Sequence, residues 1–338
     1  MKISASVYSN NSKSLQDLIK ELDSTNIDMF HIDFNDEKIQ INKIEEDIIK
    51  IREVSSTPID LHIISKYPSK YDDFLKRNKI EYVTYQYENI VEEFVITPIK
   101  QSQYGLAITS NTSVDSFEGY KKNCDFILLM TTTPGESGGK FNKINFRKIR
   151  EFRNVYSSKA IHVDGGVNDE IAFILRTLGV SSIVSGSYLV NNDIAKSLLM
   201  LKSSVIHSEV KVKEFMLSKE ECPILNDKSN FIDVLNKIEE YKFGFVFIED
   251  YKGKFLGLIS MADIRKGLIN NYENNKEIKI NNIINNNPIT INENDNINKM
   301  LNSTQNHEFL ISFIPVINNE DELVGSVTFF NLINSESW

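Results

Sequence analysis

Short apolar runs alternate with amphipathic stretches through roughly the first 200 residues of the chain. Runs of four to eight aliphatic, β-branched and aromatic residues between polar or Gly-containing segments are typical of strands, and apolar residues three or four apart are typical of helices. Helical patterns occur in SLQDLIKELDS (14–24) and NDEIAFILRTLG (168–179). The pattern predicts strands at KISASVY (2–8), MFHIDF (29–34), PIDLHII (58–64), EYVTYQY (81–87), YGLAIT (104–109), FILLMTT (126–132), KAIHVDGG (159–166) and SSIVSGS (181–187).

Eight strand-and-helix units in this length predict an α/β fold, a small (β/α)8 TIM barrel. An open, doubly wound parallel sheet is the structural alternative. No Gly-rich dinucleotide fingerprint follows the first strand, which disfavours that alternative.

The C-terminal part of the chain contains one pattern twice. GFVFIEDYKGKFLGLISMADIRKGL (244–268) and SFIPVINNEDELVGSVTFFNLIN (312–334) each contain an apolar strand, an acidic turn, a Gly-led strand and a helix start. A repeat of about 67 residues indicates one module used twice. We therefore expect an α+β domain after the barrel, joined through a linker around 203–213. The predicted boundaries are 1–204 for the barrel and 205–338 for the second domain, with modules at about 208–270 and 277–336.

Composition excludes several classes of protein. With 338 residues, 41% hydrophobic and 25% charged, the chain is typical of globular proteins of more than one domain. It lacks an apolar run long enough for a bilayer and a signal-peptide core, so we expect a cytoplasmic protein with no membrane partner. The net charge of −9 disfavours a nucleic-acid partner. Cys124 and Cys222 are expected to be reduced thiols.

His and Asp residues two positions apart recur in three of the predicted strands, which we interpret as strands that are not neighbours. The pairs are His31 with Asp33, Asp60 with His62, and His162 with Asp164. One such pair alone is more often an ordinary polar pair. Because strand residues two apart share a face, and active sites of parallel barrels lie at the C-terminal strand ends, the recurrence favours a shared site. His31, Asp33, His62 and Asp164 can provide the N and O ligands of one divalent ion such as zinc, manganese or iron.

Gly-rich loops follow the last three predicted strands, at TTPGESGG (132–139), DGGV (164–167) and GSYL (186–189). Exposed backbone N–H groups and helix N-termini bind phosphate, and barrels often do so after strands 7 and 8. The alternative is that these glycines only make tight turns.

A divalent ion beside two carboxylates, with a phosphate site nearby, suits a phosphorylated sugar. The ion can polarise a carbonyl and stabilise an enediolate, while the carboxylates remove a proton from one face and return one to the other. An aldolase would need a Schiff-base lysine at a strand end, whereas Lys66 and Lys140 lie in predicted loops. The residues therefore favour epimerisation beside a ketone.

Over about residues 1–200 the chain resembles the ribulose-phosphate 3-epimerase family. The matching motifs are ISASVYS, HIDFND, DLHII, GLAITSNT, LLMTTTPGESGGKF, HVDGGV and VSGSYL. The resemblance implies a metal-dependent ketose-phosphate 3-epimerase that acts on D-ribulose 5-phosphate and D-xylulose 5-phosphate or a related sugar. It implies a single zinc, iron, manganese or cobalt ion and a homo-oligomer.

The resemblance also assigns roles to individual residues. The metal ligands would be His31, Asp33, His62 and Asp164, and Asp33 and Asp164 would be the catalytic acid/base pair. Ser6 would contact the substrate, and the phosphate would be held by Gly138, Gly165, Gly166, Gly186 and Ser187.

Several positions depart from the family pattern. Asn35 stands where a methionine usually lines the pocket, Gln86 replaces the histidine of a His-x-Glu motif whose Glu88 remains, and His162 replaces a glutamate. Glu37, Ser110, Glu136, Ser137 and Gly139 are further departures. The changes affect the substrate pocket, so we expect the same chemistry on a different ketose phosphate, such as a ketohexose or ketotetrose phosphate. The additional C-terminal domain suggests a specialised copy, for example in the synthesis of surface-polysaccharide sugars.

The second domain resembles a tandem pair of CBS (cystathionine-β-synthase-type) modules. GLISMADIR (257–265) matches the family's Gly-x-x-Ser/Thr-x-x-Asp signature. The resemblance implies that Ser260 and Asp263 contact the ribose and phosphate of an adenine or cytidine nucleotide. The second module keeps Thr328 but has Asn331 in place of the acid. The alternative is a pair that serves only dimerisation or docking.

Two further functions remain open. The barrel could be a regulatory sensor that binds a sugar phosphate without turning it over, while the CBS pair binds a nucleotide effector. The chain could also be a scaffold in a polysaccharide pathway. Two histidines with two aspartates favour the enzyme, because a sensor needs no pair of bases.

Overall fold

A computed structural model describes two compact units, one within residues 1–203 and one within residues 210–329. The described residues are 1–136, 138–203, 210–272, 278–304 and 311–329. None of the helices in these ranges combines the length and the apolar character that crossing a membrane requires.

The first unit is a closed barrel of eight parallel strands in which each strand pairs with the next along the chain and the last pairs with the first. The predicted (β/α)8 barrel is therefore confirmed, and the open-sheet alternative is wrong. Each predicted strand is present, with ends that differ by a few residues. The strands are β1 (Lys2–Ser6), β2 (Met29–Asn35), β3 (Ile59–Ile64), β4 (Tyr82–Gln86), β5 (Gln103–Thr109), β6 (Phe126–Met130), β7 (Ala160–Asp164) and β8 (Ser182–Ser185).

Helices connect the strands and bury their apolar faces. They are α1 (Leu15–Ser24), α2 (Ile41–Val54), α3 (Asp72–Arg77), α4 (Ile144–Val155), α5 (Asp169–Thr177), α6 (Ser187–Val190) and α7 (Ile194–Lys202). Polar side chains cap the starts of α1, α5 and α7: Ser14 accepts from the Asp17 N–H, Asn168 from the Ile171 N–H and Asp193 from the Lys196 N–H. Short 3₁₀ turns occur at Val7–Ser9, Pro68–Tyr71, Tyr87–Asn89 and Val114–Phe117.

The pairing of β2 with β3 corrects one expectation from the sequence. We expected the three strands with His/Asp pairs not to be neighbours, but β2 and β3 are adjacent. Their register places His31 beside Asp60 and Asp33 beside His62. Consecutive strands pair in this barrel, so two of the His/Asp pairs lie side by side.

The second unit contains two small sheets. Its strands are β9 (Leu217–Ser218), β10 (Ile224–Asn226), β11 (Phe245–Glu249), β12 (Phe255–Ser260), β13 (Ile291–Asn292), β14 (Phe313–Ile317) and β15 (Leu323–Thr328). Its helices are α8 (Phe231–Tyr241), α9 (Met261–Tyr272) and α10 (Ile297–Thr304). The sheet orders are β10-β11-β12 and β13-β14-β15-β9.

The internal repeat appears as a constant offset of 68 residues between equivalent pairs. Phe245 pairs with Ser260 in the first module, and Phe313 pairs with Thr328 in the second. The Phe245 and Phe313 rings stack with centroids 3.8 Å apart, which joins the two sheets. Strand β9 of the first module pairs with β15 of the second, so the modules exchange a segment.

A layer of aromatic rings closes the N-terminal end of the barrel. Phe126, the first residue of β6, stacks on His162 with centroids 4.0 Å apart and packs with Met29 and Tyr82. Gly105 on β5 is the cross-strand neighbour of Phe126. A Cβ at position 105 would lie 2.2 Å from Cε2 of that ring, so only glycine leaves it room.

We expect Gly105→Ala to lower the free energy of unfolding by about 1–3 kcal/mol, because the confined Phe126 ring cannot move away without disturbing the layer. Thermal or urea unfolding measures this loss. Gly119→Ala is the matched control, since a Cβ there has no neighbouring atom within 4 Å. Equal loss in both variants would contradict the packing argument.

Candidate active site

Four side chains meet at the C-terminal end of the barrel. One ligand atom from each of His31, Asp33, His62 and Asp164 lies within 4.8 Å of those of the other three. The Nε2 atom of His31 is 3.4 Å from Oδ1 of Asp33 and 3.7 Å from Oδ2 of Asp164, and Nδ1 of His62 is 3.0 Å from Oδ1 of Asp33.

These spacings fit a small divalent ion. Tetrahedral ligands at about 2.1 Å from an ion lie about 3.4 Å from one another. Two imidazole nitrogens with two carboxylate oxygens suit zinc, iron, manganese or cobalt. The four residues could therefore hold such an ion without a large rearrangement.

Strand register brings the four residues together. His31 and Asp33 lie two residues apart on β2, His62 is the partner of Asp33 on β3, and Asp164 ends β7. Strands β1 and β8 separate β2 from β7, so the Asp33 and Asp164 carboxyls reach the group from different parts of the barrel wall.

Each of the two histidines has a hydrogen-bond contact at the ring nitrogen that does not face the four-residue group. His31 Nδ1 lies 2.8 Å from Oδ2 of Asp60, which also accepts from the Ser4 hydroxyl, and His62 Nε2 lies 2.8 Å from Oε1 of Gln86. Such contacts fix the ring orientation of a metal-binding histidine. No role for Asp60 or Gln86 follows from the sequence alone. Knowledge of the β2–β3 register would have identified Asp60, because it is the cross-strand partner of His31.

The surroundings separate the pKa values of the two predicted catalytic carboxyls. Burial raises the pKa of Asp164 to about 6, with nearby Asp33 adding to this effect and His31 opposing it. Burial also acts to raise the pKa of Asp33, but His31 and His62 outweigh it and hold the pKa well below its usual range. Burial acts to lower the pKa of His31, yet Asp60 and Asp33 raise it well above its usual value.

His162 does not join the four-residue group, although it shares a strand with Asp164. Its ring lies deeper in the barrel, stacked on Phe126, and burial lowers its pKa to about 4. A neutral imidazole between aromatic rings is a packing element. The His/Asp pair of β7 thus contributes only its aspartate to the group.

A cavity of about 260 Å³ is lined by the two carboxyls of the group, Asp33 and Asp164. All of the residues predicted to contact substrate or phosphate line it, namely Ser6, Gly138, Gly165, Gly166, Gly186 and Ser187. At Gly166, where φ is 64°, a Cβ would lie 2.3 Å from the backbone N of Phe141, so the close approach of these loops requires glycine.

Some of the positions that depart from the family pattern line this cavity, and others do not. Asn35 and Glu136 line the cavity together with Lys38, which the sequence analysis did not identify. Glu37 points elsewhere and forms an ion pair with Lys66 at 2.8 Å. Tyr8, Ser9, Ile39 and Tyr188 also line the cavity. Ser137 lies outside the described residues.

In the second unit, Ser260 and Asp263 form a reciprocal cap at the start of α9. The Ser260 hydroxyl donates to Oδ2 of Asp263 at 2.6 Å, the same oxygen accepts from the Ser260 N–H, and the Asp263 N–H donates to Oγ of Ser260. Thr328 occupies the equivalent strand end in the second module and is half-buried. Asn331 lies outside the described residues.

Two protein-family models match different parts of the chain. The model of the ribulose-phosphate 3-epimerase family matches residues 2–190, and the CBS domain model matches residues 212–270 and 280–336. A ribulose-phosphate 3-epimerase of Helicobacter pylori is 27% identical over 205 residues, which cover 56% of this chain and 90% of the relative. One from Bacillus subtilis is 28% identical over 197 residues, which cover 55% of this chain and 91% of the relative.

Among solved structures, a CBS domain pair/ACT domain protein from Thermotoga maritima matches 37% of this chain and 95% of its own, at 19% identity and a TM-score of 0.30. Both resemblances noted in the sequence are confirmed by the family models. The chain therefore belongs to the ribulose-phosphate 3-epimerase family, whose model matches residues 2–190. It is a sugar-phosphate epimerase of the isomerase class and also carries tandem CBS domains.

Proposed function

We propose that the barrel is a metal-dependent 3-epimerase of a ketose phosphate, either D-ribulose 5-phosphate with D-xylulose 5-phosphate or a related sugar. The observation that carries this proposal is the convergence of His31, Asp33, His62 and Asp164 beside a cavity lined by the Gly-rich loops. A non-catalytic sensor would need the cavity but would gain nothing from two carboxyls with separated pKa values.

The divalent ion, held by the two histidines and two aspartates, would supply Lewis-acid polarisation of the ketone. The ionised Asp33 carboxylate takes the proton from C3, and the C–H electron pair moves into an enediolate of the sugar. Asp164, which has to take up a proton before the sugar reacts, returns it to the opposite face of C3, which inverts that carbon. In the reverse direction the two aspartates exchange roles.

The residues around the cavity bear on which sugar is bound. The backbone N–H groups near Gly166 and Gly186 would bind the phosphate, and Ser6 would contact a hydroxyl of the sugar. Asn35 and Lys38 place polar groups on the β2 side of the cavity, where the family usually has methionine. This lining supports a ketose phosphate other than the pentulose, as in a specialised copy that supplies surface-polysaccharide sugars.

Metal-loaded protein in deuterated water should exchange the C3 proton of D-ribulose 5-phosphate or of a ketohexose or ketotetrose phosphate, as followed by NMR. Removing the ion with a chelator should stop the exchange, and restoring it should recover the rate. A protein that contains metal but exchanges none of these sugars would favour the sensor instead.

Asp33→Asn and Asp164→Asn should each reduce exchange at least ~100-fold, because each removes one of the two proton-transfer groups. Metal content must be measured on each sample, which separates lost proton transfer from lost metal. Asp73→Asn, a change at an exposed position of α3, is the matched control and should keep the wild-type rate. Near-full activity in either active-site variant would rule out the two-carboxyl scheme.

Metal binding should release about one more proton at about pH 5 than at about pH 7.5. Because the pKa of Asp164 is raised to about 6, this carboxyl is protonated at the lower pH and must ionise to bind a cation, whereas it is already ionised at the higher pH. Affinity should therefore fall as the pH drops through 6. Calorimetry in buffers of different ionisation enthalpy counts the protons, and Asp164→Asn should lack the increment. Equal release at both pH values would contradict this assignment.

We also propose that the CBS pair binds an adenine or cytidine nucleotide as an effector. Ser260 and Thr328 end equivalent strands of the two modules, whose sheets meet at the Phe245–Phe313 stack. Asp263 begins a helix beside Ser260, and a hydroxyl with a carboxylate can bind a ribose diol.

Equilibrium dialysis against AMP, ATP and CMP should detect binding that Asp263→Ala abolishes. Asp233→Ala is the matched control, because Asp233 occupies the same capping-box position at the start of α8. It should cost a similar helix cap but leave nucleotide binding intact. Binding that survives Asp263→Ala, or fails equally in both variants, would remove Asp263 from the site.

A further inference from the structure

A line of hydrogen bonds runs from the loop after β5 to the predicted metal ligand His62. Gln86, the last residue of β4, is buried, and its Oε1 atom lies 2.8 Å from Nε2 of His62. Its amide nitrogen donates to Oε2 of Glu88 at 2.5 Å. Gln86 therefore connects an imidazole on one side to a carboxylate on the other.

Glu88 accepts further hydrogen bonds from the loop after β5. Its Oε1 accepts from the Thr109 N–H at 2.8 Å, from the Thr109 hydroxyl at 3.0 Å, and from the Thr112 hydroxyl. The loop is itself fixed, because the buried Lys148 ammonium donates to the carbonyls of Thr109 and Ser110 at 2.8 and 2.7 Å. Burial acts to raise the pKa of Glu88, but the hydrogen bonds from Thr109, Thr112 and Gln86 hold that pKa below its usual value.

Donor and acceptor rules then decide the protonation of His62. An ionised carboxylate can only accept, so Gln86 must direct its NH₂ group toward Glu88 and its carbonyl oxygen toward His62. A carbonyl oxygen can only accept, so Nε2 of His62 must carry a hydrogen. The other ring nitrogen, Nδ1, lies 3.0 Å from Oδ1 of Asp33, so it donates to that carboxylate in the metal-free protein and is the nitrogen that would face a bound cation.

We propose that Glu88 and Gln86 are positioning residues for His62: Glu88 orients the Gln86 amide, and Gln86 keeps a hydrogen on Nε2 of His62, which leaves Nδ1 directed at the metal. This inference rests on the proposed function in one respect only, namely that the cation facing Nδ1 is the divalent ion proposed there. His31 has the simpler arrangement, because Asp60 contacts its Nδ1 directly. The chain uses an amide at the position where the family pattern has histidine, and the amide needs a fixed carboxylate behind it.

Glu88→Gln gives a sharp test. The Thr109 N–H requires an acceptor, so the new amide must place its oxygen there and its NH₂ group toward Gln86. Two NH₂ groups cannot face each other, so Gln86 must turn over and present its own NH₂ to His62. Nε2 of His62 then becomes an acceptor and loses its hydrogen, so that Nδ1 alone carries one.

Long-range ¹H–¹⁵N NMR of metal-free protein reports directly which ring nitrogens of His62 carry a hydrogen. We expect a hydrogen on Nε2 in the wild type and none on Nε2 in Glu88→Gln, where Nδ1 alone carries one. Glu92→Gln is the matched control, since Glu92 is a half-buried glutamate that contacts Ser69, and it should keep the wild-type hydrogen on Nε2 of His62. An unchanged tautomer in Glu88→Gln, even with lower thermal stability, would overturn the proposal and leave Glu88 a structural role.

Metal affinity provides the second readout. Competition with a chelator should show a dissociation constant raised about tenfold or more in Glu88→Gln, and also in Gln86→Leu, which tests the same link if the first variant does not fold. Wild-type affinity in both would overturn the proposal. If wild-type protein bound no divalent ion, the proposed function would fail, whereas the tautomer measurement would still decide the positioning role.

Discussion

The pairing of β2 with β3 is the constraint on which the candidate active site depends. This register sets Asp33 beside His62 and His31 beside Asp60. Because strand side chains alternate between faces, a shift by one residue would turn the β2 residues out of the barrel interior and separate the cluster. Closure of the barrel then brings Asp164 on β7 to the same end. The reaction chemistry therefore rests on backbone hydrogen bonds between strands.

Burial makes these polar groups useful and also makes them costly, since a charge inside a protein needs partners. The structure provides such partners for the two histidines, and each partner has a further hydrogen bond of its own: Asp60 accepts from Ser4, and Gln86 donates to Glu88. The same surroundings lower the pKa of Asp33 and raise that of Asp164. One arrangement of neighbours thus gives rigidity and an acid/base pair together.

The second unit is constructed by duplication with exchange of segments. The offset of 68 residues extends through strand pairs, and β9 completes the sheet of the other module. The sheet of the second module is incomplete without β9 of the first, because short strands need neighbours to satisfy their backbone groups. Ser260 and Asp263 already satisfy each other as a helix cap, so ligand binding there would use groups that also stabilise α9.

The sequence by itself determined the eight strands, the barrel, the repeated module and the four residues of the cluster. These follow from local periodicity and from the rule that parallel strands end at one edge. Only the tertiary structure decided which strands are neighbours, that His162 packs on Phe126, and that Asp60 and Gln86 orient the two histidines. The physical reason is that strand periodicity specifies which face a side chain occupies, whereas its partners depend on register and on loops distant in sequence.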